Sequence, residues 1–129
     1  GIEASKISKN IKIRKMVDVM QKKYAYKPPK GYDGSCLDGR DITYKIIPDA
    51  DFKFFITADI NVRAKRRYKE LKKLNKNINY SEVLQSIKKR DKSDCERKHS
   101  PLKRTKDSFF INTTNLTIQQ TFKKIKKIN

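Results

Sequence analysis

A layered α/β fold with a parallel sheet is what this 129-residue sequence predicts, on three observations. Stripes of apolar residues at helical spacing alternate with short apolar runs. One run, FKFFITA at 52–58, is apolar almost throughout, as expected of a strand covered on both faces. No internal repeat or long low-complexity tract points to a solenoid or a disordered chain.

The elements follow in order. Ile13, Met16, Val17, Met20 and Tyr24 recur at helical intervals, which predicts an amphipathic helix over 12–24 that ends before Pro28-Pro29. A turn-rich connector covers 26–34, and Ser35-Cys36-Leu37 reads as a short strand closing on Gly39. FKFFITA is the second strand. A helix over 60–75 turns Ala64, Tyr68, Leu71 and Leu74 inward. Ser81 is the expected cap of a helix over 81–97, with Glu82 favourable in its first turn. Residues 108–112 form the third strand, and Ile118, Phe122 and Ile125 stripe a final helix. Phe52, Phe54, Phe55, Phe109 and Phe110 are expected in the core and not as base-stacking platforms.

Composition narrows the function classes. Lys+Arg 33 against Asp+Glu 14 gives a formal charge of +19 and a pI near 10.0, which alone suggests a polyanionic partner. The lysines are spread over several segments such as KKLNKNINY and TFKKIKKIN, so most are read as solvated surface charge and a nucleic-acid partner is not expected. Cys36 and Cys95 lie too far apart for a CxxC motif and His99 is the sole histidine, so no metal site follows. Cys36 is expected to be buried in its strand, Cys95 to be a surface thiol, and the two not to pair. His99 reads as an ordinary surface residue. No apolar stretch approaches the ~20 residues of a membrane span and no signal-peptide pattern opens the chain. A cytoplasmic monomer is expected. The matches to the glycosylation pattern at Asn79, Asn112 and Asn115 carry no meaning without secretion.

Two clusters mix guanidinium with carboxylate, a mixture that a surface for a phosphate backbone has no reason to carry. The first is Asp38-Gly39-Arg40-Asp41. Its expected place is the C-terminal end of a strand, where open α/β sheets bind ligands, with Gly39 permitting a sharp turn. The second lies on the 81–97 helix, where Val83, Ile87, Arg90, Asp94 and Arg97 follow at i+4, i+3, i+4 and i+3, so one face changes from apolar to charged. Such a row is either an intrahelical salt-bridge ladder, worth a few tenths of a kcal/mol per pair, or the wall of a polar cleft. Its company with DGRD and Ser100-Pro101-Leu102 favours the cleft.

DGRD, then Pro48-Asp49-Ala50-Asp51, FKFFITA, VRAKRRYKEL at 62–71, KRDKSDCER at 89–97 and Ser100-Pro101-Leu102 together resemble the bacterial cytidylate (CMP) kinase family over almost the whole chain. The resemblance implies a partial P-loop nucleoside-monophosphate-kinase fold, a parallel sheet flanked by helices with a helical lid. It implies phosphoryl transfer from ATP, with Mg²⁺, to CMP or dCMP. Asp41 resembles the carboxylate that accepts from the exocyclic amino group of cytosine, which uracil lacks. Arg40 and Arg97 resemble phosphate ligands with a catalytic role, Arg14 the reader of the polar edge of the base, and Ser5, Arg90 and Asp94 the contacts to the ribose hydroxyls. Arg63 and Arg66 resemble the ATP side. Ser5 and Arg14 would face opposite ways on one unbroken helix, so a break near Asn10 is expected, at a point where the family usually carries a proline.

The family's phosphate loop, GxxxxGK[ST], does not occur in these 129 residues, and the first residue is Gly. The expectation is therefore the C-terminal portion of a cytidylate kinase domain, inactive alone. In that reading 1–34 end the acceptor region and connector, 35–80 give core strands and a helix, 81–102 the lid-like helix and turn, and 103–129 the last strand and helix. Three strands are few for such a sheet, and further ones are expected upstream. The alternatives are a small basic polyanion-binding protein and another nucleoside-monophosphate kinase.

Overall fold

The computed structural model describes residues 10–74 and 77–128. Ser5 and residue 75, the expected end of the second helix, lie outside the described residues. The chain divides into two compact units, Gly1–Asp51 and Phe52–Asn129.

In the first unit, helix α1 spans Ile11–Tyr26. Asn10 starts it: its side-chain oxygen accepts from the backbone N–H of Lys12 at 3.0 Å and Ile13 at 3.3 Å, satisfying two donors that have no partner within the helix. The helix thus begins where the sequence requires a break. Its orientation differs from the amphipathic expectation. The less exposed face is Arg14, Asp18, Gln21 and Ala25, whereas Met16, Val17, Met20 and Tyr24 of the apolar stripe are exposed. Ion pairs from the polar face to the segment after DGRD set that choice, as the site geometry below shows. Near the other end, Ser35 Oγ donates to the carbonyl of Tyr24, and the Tyr26 hydroxyl donates to Asp49 at 2.5 Å. That bond to a carboxylate raises the Tyr26 pKa.

The strand expected at 35–37 is not formed. Ser35 and Cys36 are exposed and irregular, so Cys36 is an open thiol and not a core residue. DGRD consequently follows no strand. It leads into a turn of π-helix, Ile42–Ile46, in which Ile47 N–H donates to the Ile42 carbonyl at 2.9 Å. The register of five residues between donor and acceptor buries Ile42 and Ile46 together. Gly39 serves this turn by its missing side chain: a Cβ there would lie 2.7 Å from Cγ1 of Ile42.

The second unit is mixed α/β, a small parallel two-stranded sheet with helices. Strand β1, Phe54–Thr57, and strand β2, Phe109–Asn112, run parallel with Phe54 opposite Phe109 and Thr57 opposite Asn112. Between them the crossover carries helix α2, Ile60–Leu74, and helix α3, Tyr80–Glu96; helix α4, Ile118–Lys126, follows β2. Phe54 meets Phe109 at a ring distance of 5.8 Å and Phe55 meets Phe110 at 6.2 Å, on opposite faces of the pair. The expectation of core phenylalanines holds only in part: Phe54 and Phe55 are half-buried, whereas Phe52, Phe109 and Phe110 are exposed, as is Ile56, in a sheet of two strands among the described residues.

Packing is concentrated at a few points. Ile111, Ala64, Ala58 and Val83 are buried, and Tyr68 of α2 meets Tyr80 of α3 edge to face at 5.9 Å. Leu74, expected inward, is 85 % exposed at the end of α2. Buried Lys53 is satisfied by Asp107, whose carboxyl is held below its ordinary range first by that bond. Helix starts are capped by side chains: Asp59 accepts from Asn61 and Val62, and Thr117 with Gln120 forms a reciprocal box. At α3 the cap is Asn79, which accepts from Ser81 N–H at 2.9 Å, and not Ser81 itself.

Two outcomes check these assignments. Asn79→Ala should cost about 1 kcal/mol in urea unfolding, while Ser81→Ala should stay within about 0.5 kcal/mol. For the Lys53–Asp107 pair the carboxyl pKa is lower folded than unfolded. Its stabilisation is therefore present above about pH 4 and lost as pH falls through the depressed folded value. Stability of Asp107→Asn followed from pH 6 down to about pH 2 should show a shallower acid-side decline than wild type.

Candidate nucleotide site

Of the sequence-predicted residues, Arg14, Arg40 and Asp41 lie together in the first unit and Arg90, Asp94 and Arg97 in the second. In the first, Arg14 of α1 donates to Asp41 Oδ2 at 3.2 Å, with side chains 17 % and 11 % exposed. Asp18, one turn along α1, accepts from Lys45 Nζ at 2.6 Å, and that ammonium lies 3.8 Å from Asp41. The result is an alternating row, Arg14, Asp41, Lys45 and Asp18, holding the π turn against the polar face of α1. Arg40 sits half-buried beside Asp41. The Asp41 carboxylate presents acceptor oxygens, the property needed to read an amino group.

Lys45 and Asp18 were not singled out from sequence. The signal was present: Arg14 and Asp18 are four apart, as are Asp41 and Lys45, so each pair shares a face.

In the second unit the row on α3 is brought together loosely. Asp94, 14 % exposed, lies 3.8 Å from Arg90 Nε and 3.6 Å from Arg97 Nη1. Arg90 projects into solvent, its side chain 68 % exposed. These separations are ion-pair contacts and not aligned hydrogen bonds. Helix α3 then stops at Arg97, which turns extended, and Leu102 N–H returns to cap the Asp94 carbonyl at 2.7 Å.

Arg63 and Arg66 are embedded in the fold. Arg63 gives Nε to the Ala58 carbonyl at 2.9 Å and both Nη groups to Asp91 of α3 at 3.0 and 2.7 Å. That fork on Asp91 raises the pKa of Arg63. Arg66 donates to the carbonyls of Thr113 at 2.6 Å and Leu116 at 3.0 Å. Asp91 escaped the sequence reading because its partner is 28 residues away and neither helix's periodicity marks it.

A parallel sheet with helices, arginine–carboxylate clusters at DGRD and on α3, and a proline turn after α3 define a partial nucleoside-monophosphate-kinase fold. The cytidylate kinase family model matches residues 1–129. The chain belongs to the cytidylate kinase family. It is 44% identical over 122 residues to the cytidylate kinase of Bartonella tribocorum, covering 95% of this chain and 55% of the relative. It is 40% identical over 128 residues to that of Thermosipho melanesiensis, covering 99% of this chain and 57% of the relative. With that of Clostridium botulinum it shares 53% identity over 89 residues, 69% of this chain and 41% of the relative. The chain thus spans about half the length of the curated relatives it matches. No described helix is long and apolar enough to cross a membrane.

Replacing Asp41 by Asn would remove the carboxylate charge that accepts from Arg14 at 3.2 Å, a guanidinium 17 % exposed. The expected cost is about 1–3 kcal/mol in urea unfolding.

Proposed function

We propose that this chain carries the acceptor-nucleotide and lid parts of a cytidylate kinase, for ATP-dependent phosphorylation of CMP or dCMP to CDP or dCDP in the cytoplasm. The observation that carries the reading is the buried Asp41 carboxylate paired to Arg14, in a chain matched end to end by the family model. An ionised acceptor suits the exocyclic amino group of cytosine and repels the carbonyl that uracil offers there. In this proposal Arg14 reads the base edge, Arg90 and Asp94 with Ser5 serve the ribose, and Arg40 and Arg97 take the phosphate oxygens, where a planar fork matches two acceptors.

Phosphoryl transfer of this type needs no covalent intermediate and no histidine base; positioned positive charge stabilises the charge spread over the transferring group. An arginine-bearing lid that closes over the nucleotides also excludes water that would hydrolyse the donor. Arg63 and Arg66 are proposed on the ATP side. To reach phosphate they would exchange the Asp91 carboxylate and the Thr113 and Leu116 carbonyls for phosphate oxygens. Mg²⁺ is implied by the family as the companion of ATP. Among the described residues there is no group of three His, Cys, Asp or Glu that could hold a metal ion. No step is routed through it. With no GxxxxGK[ST] in the 129 residues, the chain alone is proposed to lack turnover.

Calorimetry on the 129-residue chain tests this. CMP should bind at least about tenfold more tightly than UMP. Asp41→Asn should collapse that ratio, since an amide can donate to uracil or accept from cytosine. Equal binding of the two nucleotides, or kinase turnover by the chain alone, contradicts the reading. Binding that ignores the base and falls steeply with salt would instead support a polyanion-binding protein.

A further inference from the structure

One residue of the second unit holds a backbone conformation that its side chain disfavours. Ser100 has φ of 55°, the sole positive-φ residue other than glycine among the described residues. It is also buried, at 9 % exposure. Pro101 disfavours the right-handed α region for the residue before it, which works against continuing the turn as helix. A left-handed conformation at a residue with a Cβ persists only where its surroundings fix it, and such outliers gather where a function uses them.

What this one does is visible in its carbonyl, which accepts from Arg97 Nε at 2.5 Å. The turn is anchored at both ends: Arg97 N–H donates to the Ser93 carbonyl at 3.2 Å and Leu102 N–H to the Asp94 carbonyl at 2.7 Å. Asp94 stands 3.6 Å from Arg97 Nη1. The guanidinium is thereby hydrogen-bonded at Nε to a backbone oxygen, with a carboxylate in ion-pair range of Nη1, and its outer edge is turned to meet a ligand.

We propose that Ser100 is a positioning residue for Arg97. Its left-handed backbone, ahead of Pro101, presents a carbonyl that fixes the guanidinium in the plane required for a bidentate grip on phosphate. The proposal rests on the reading of Arg97 as a phosphate ligand, and its test separates the two. Glycine adopts the left-handed region freely, whereas a β-branched residue is strongly excluded from it. Ser100→Gly should keep the brace and Ser100→Val should break it.

The brace is read without any ligand, by solvent exchange of the Arg97 Nε–H in nitrogen-edited spectra of the 129-residue chain, assigned by its loss in Arg97→Lys. Wild type and Ser100→Gly should show a protected Nε–H. Ser100→Val should lose about tenfold in protection, the shift that about 1.4 kcal/mol produces. CMP affinity should fall about tenfold with it, while affinity for cytidine, which has no phosphate, stays unchanged. Equal protection in Ser100→Gly and Ser100→Val overturns the proposal. If wild type binds CMP and cytidine alike, the phosphate reading fails, and the brace is judged on protection alone. Should Ser100→Val prevent folding, Pro101→Ala readmits the right-handed conformation at Ser100 and should lower the same protection. Unchanged protection there also overturns the proposal.

Discussion

Arg63 holds the second unit together through a single planar group. Its Nε fixes the carbonyl just after β1, and its two Nη groups fork onto Asp91 in the middle of α3. Strand, α2 and α3 are thus tied at one point. The need is physical. The buried apolar residues of this unit are few and mostly small, Ala58, Ala64, Val83 and Ile111, so area burial alone gives limited orientation between elements. A guanidinium fork supplies direction that an apolar contact does not, because it works only when donor and carboxylate are coplanar. Arg66 repeats the device one turn later, fixing the loop after β2.

The first unit uses the same logic with different geometry. Four alternating charges, Arg14, Asp18, Asp41 and Lys45, join a helix to a π turn. This explains why α1 faces inward with its polar side: the apolar stripe offers area, but the row offers four charges in two hydrogen-bonded pairs, with Asp41 almost out of solvent. A carboxylate so placed needs a cation, and the helix rotates to supply one.

Long periodic segments were legible from the sequence. The four helices lie where apolar spacing puts them, and FKFFITA and the 108–112 segment supply the two strands, in parallel, as the α/β pattern requires. What failed was short or relational. Ser35-Cys36-Leu37 has strand composition, but three residues without a neighbouring strand gain no ladder bonds. The π turn at Ile42 has no composition signature, and Asn79 is the cap because it stands just before the helix and accepts from the Ser81 N–H, whereas Ser81 lies inside the first turn. Arg14 and Asp41 were named for their chemistry and lie in contact; Arg63 was named as well, but its partner could not be read from periodicity.

The parallel pair of strands leaves Ile56, Phe109 and Phe110 bare, with outer backbone edges open to further ladder bonds among the described residues. Bare flat edges of this kind invite stacking between copies, and natural chains blunt them with like charge. Here the thirty-three cationic side chains act as that guard, a long-range mutual repulsion that holds neighbouring molecules apart. Such repulsion fades beyond a Debye length, so ionic strength sets how strongly it holds neighbouring molecules apart.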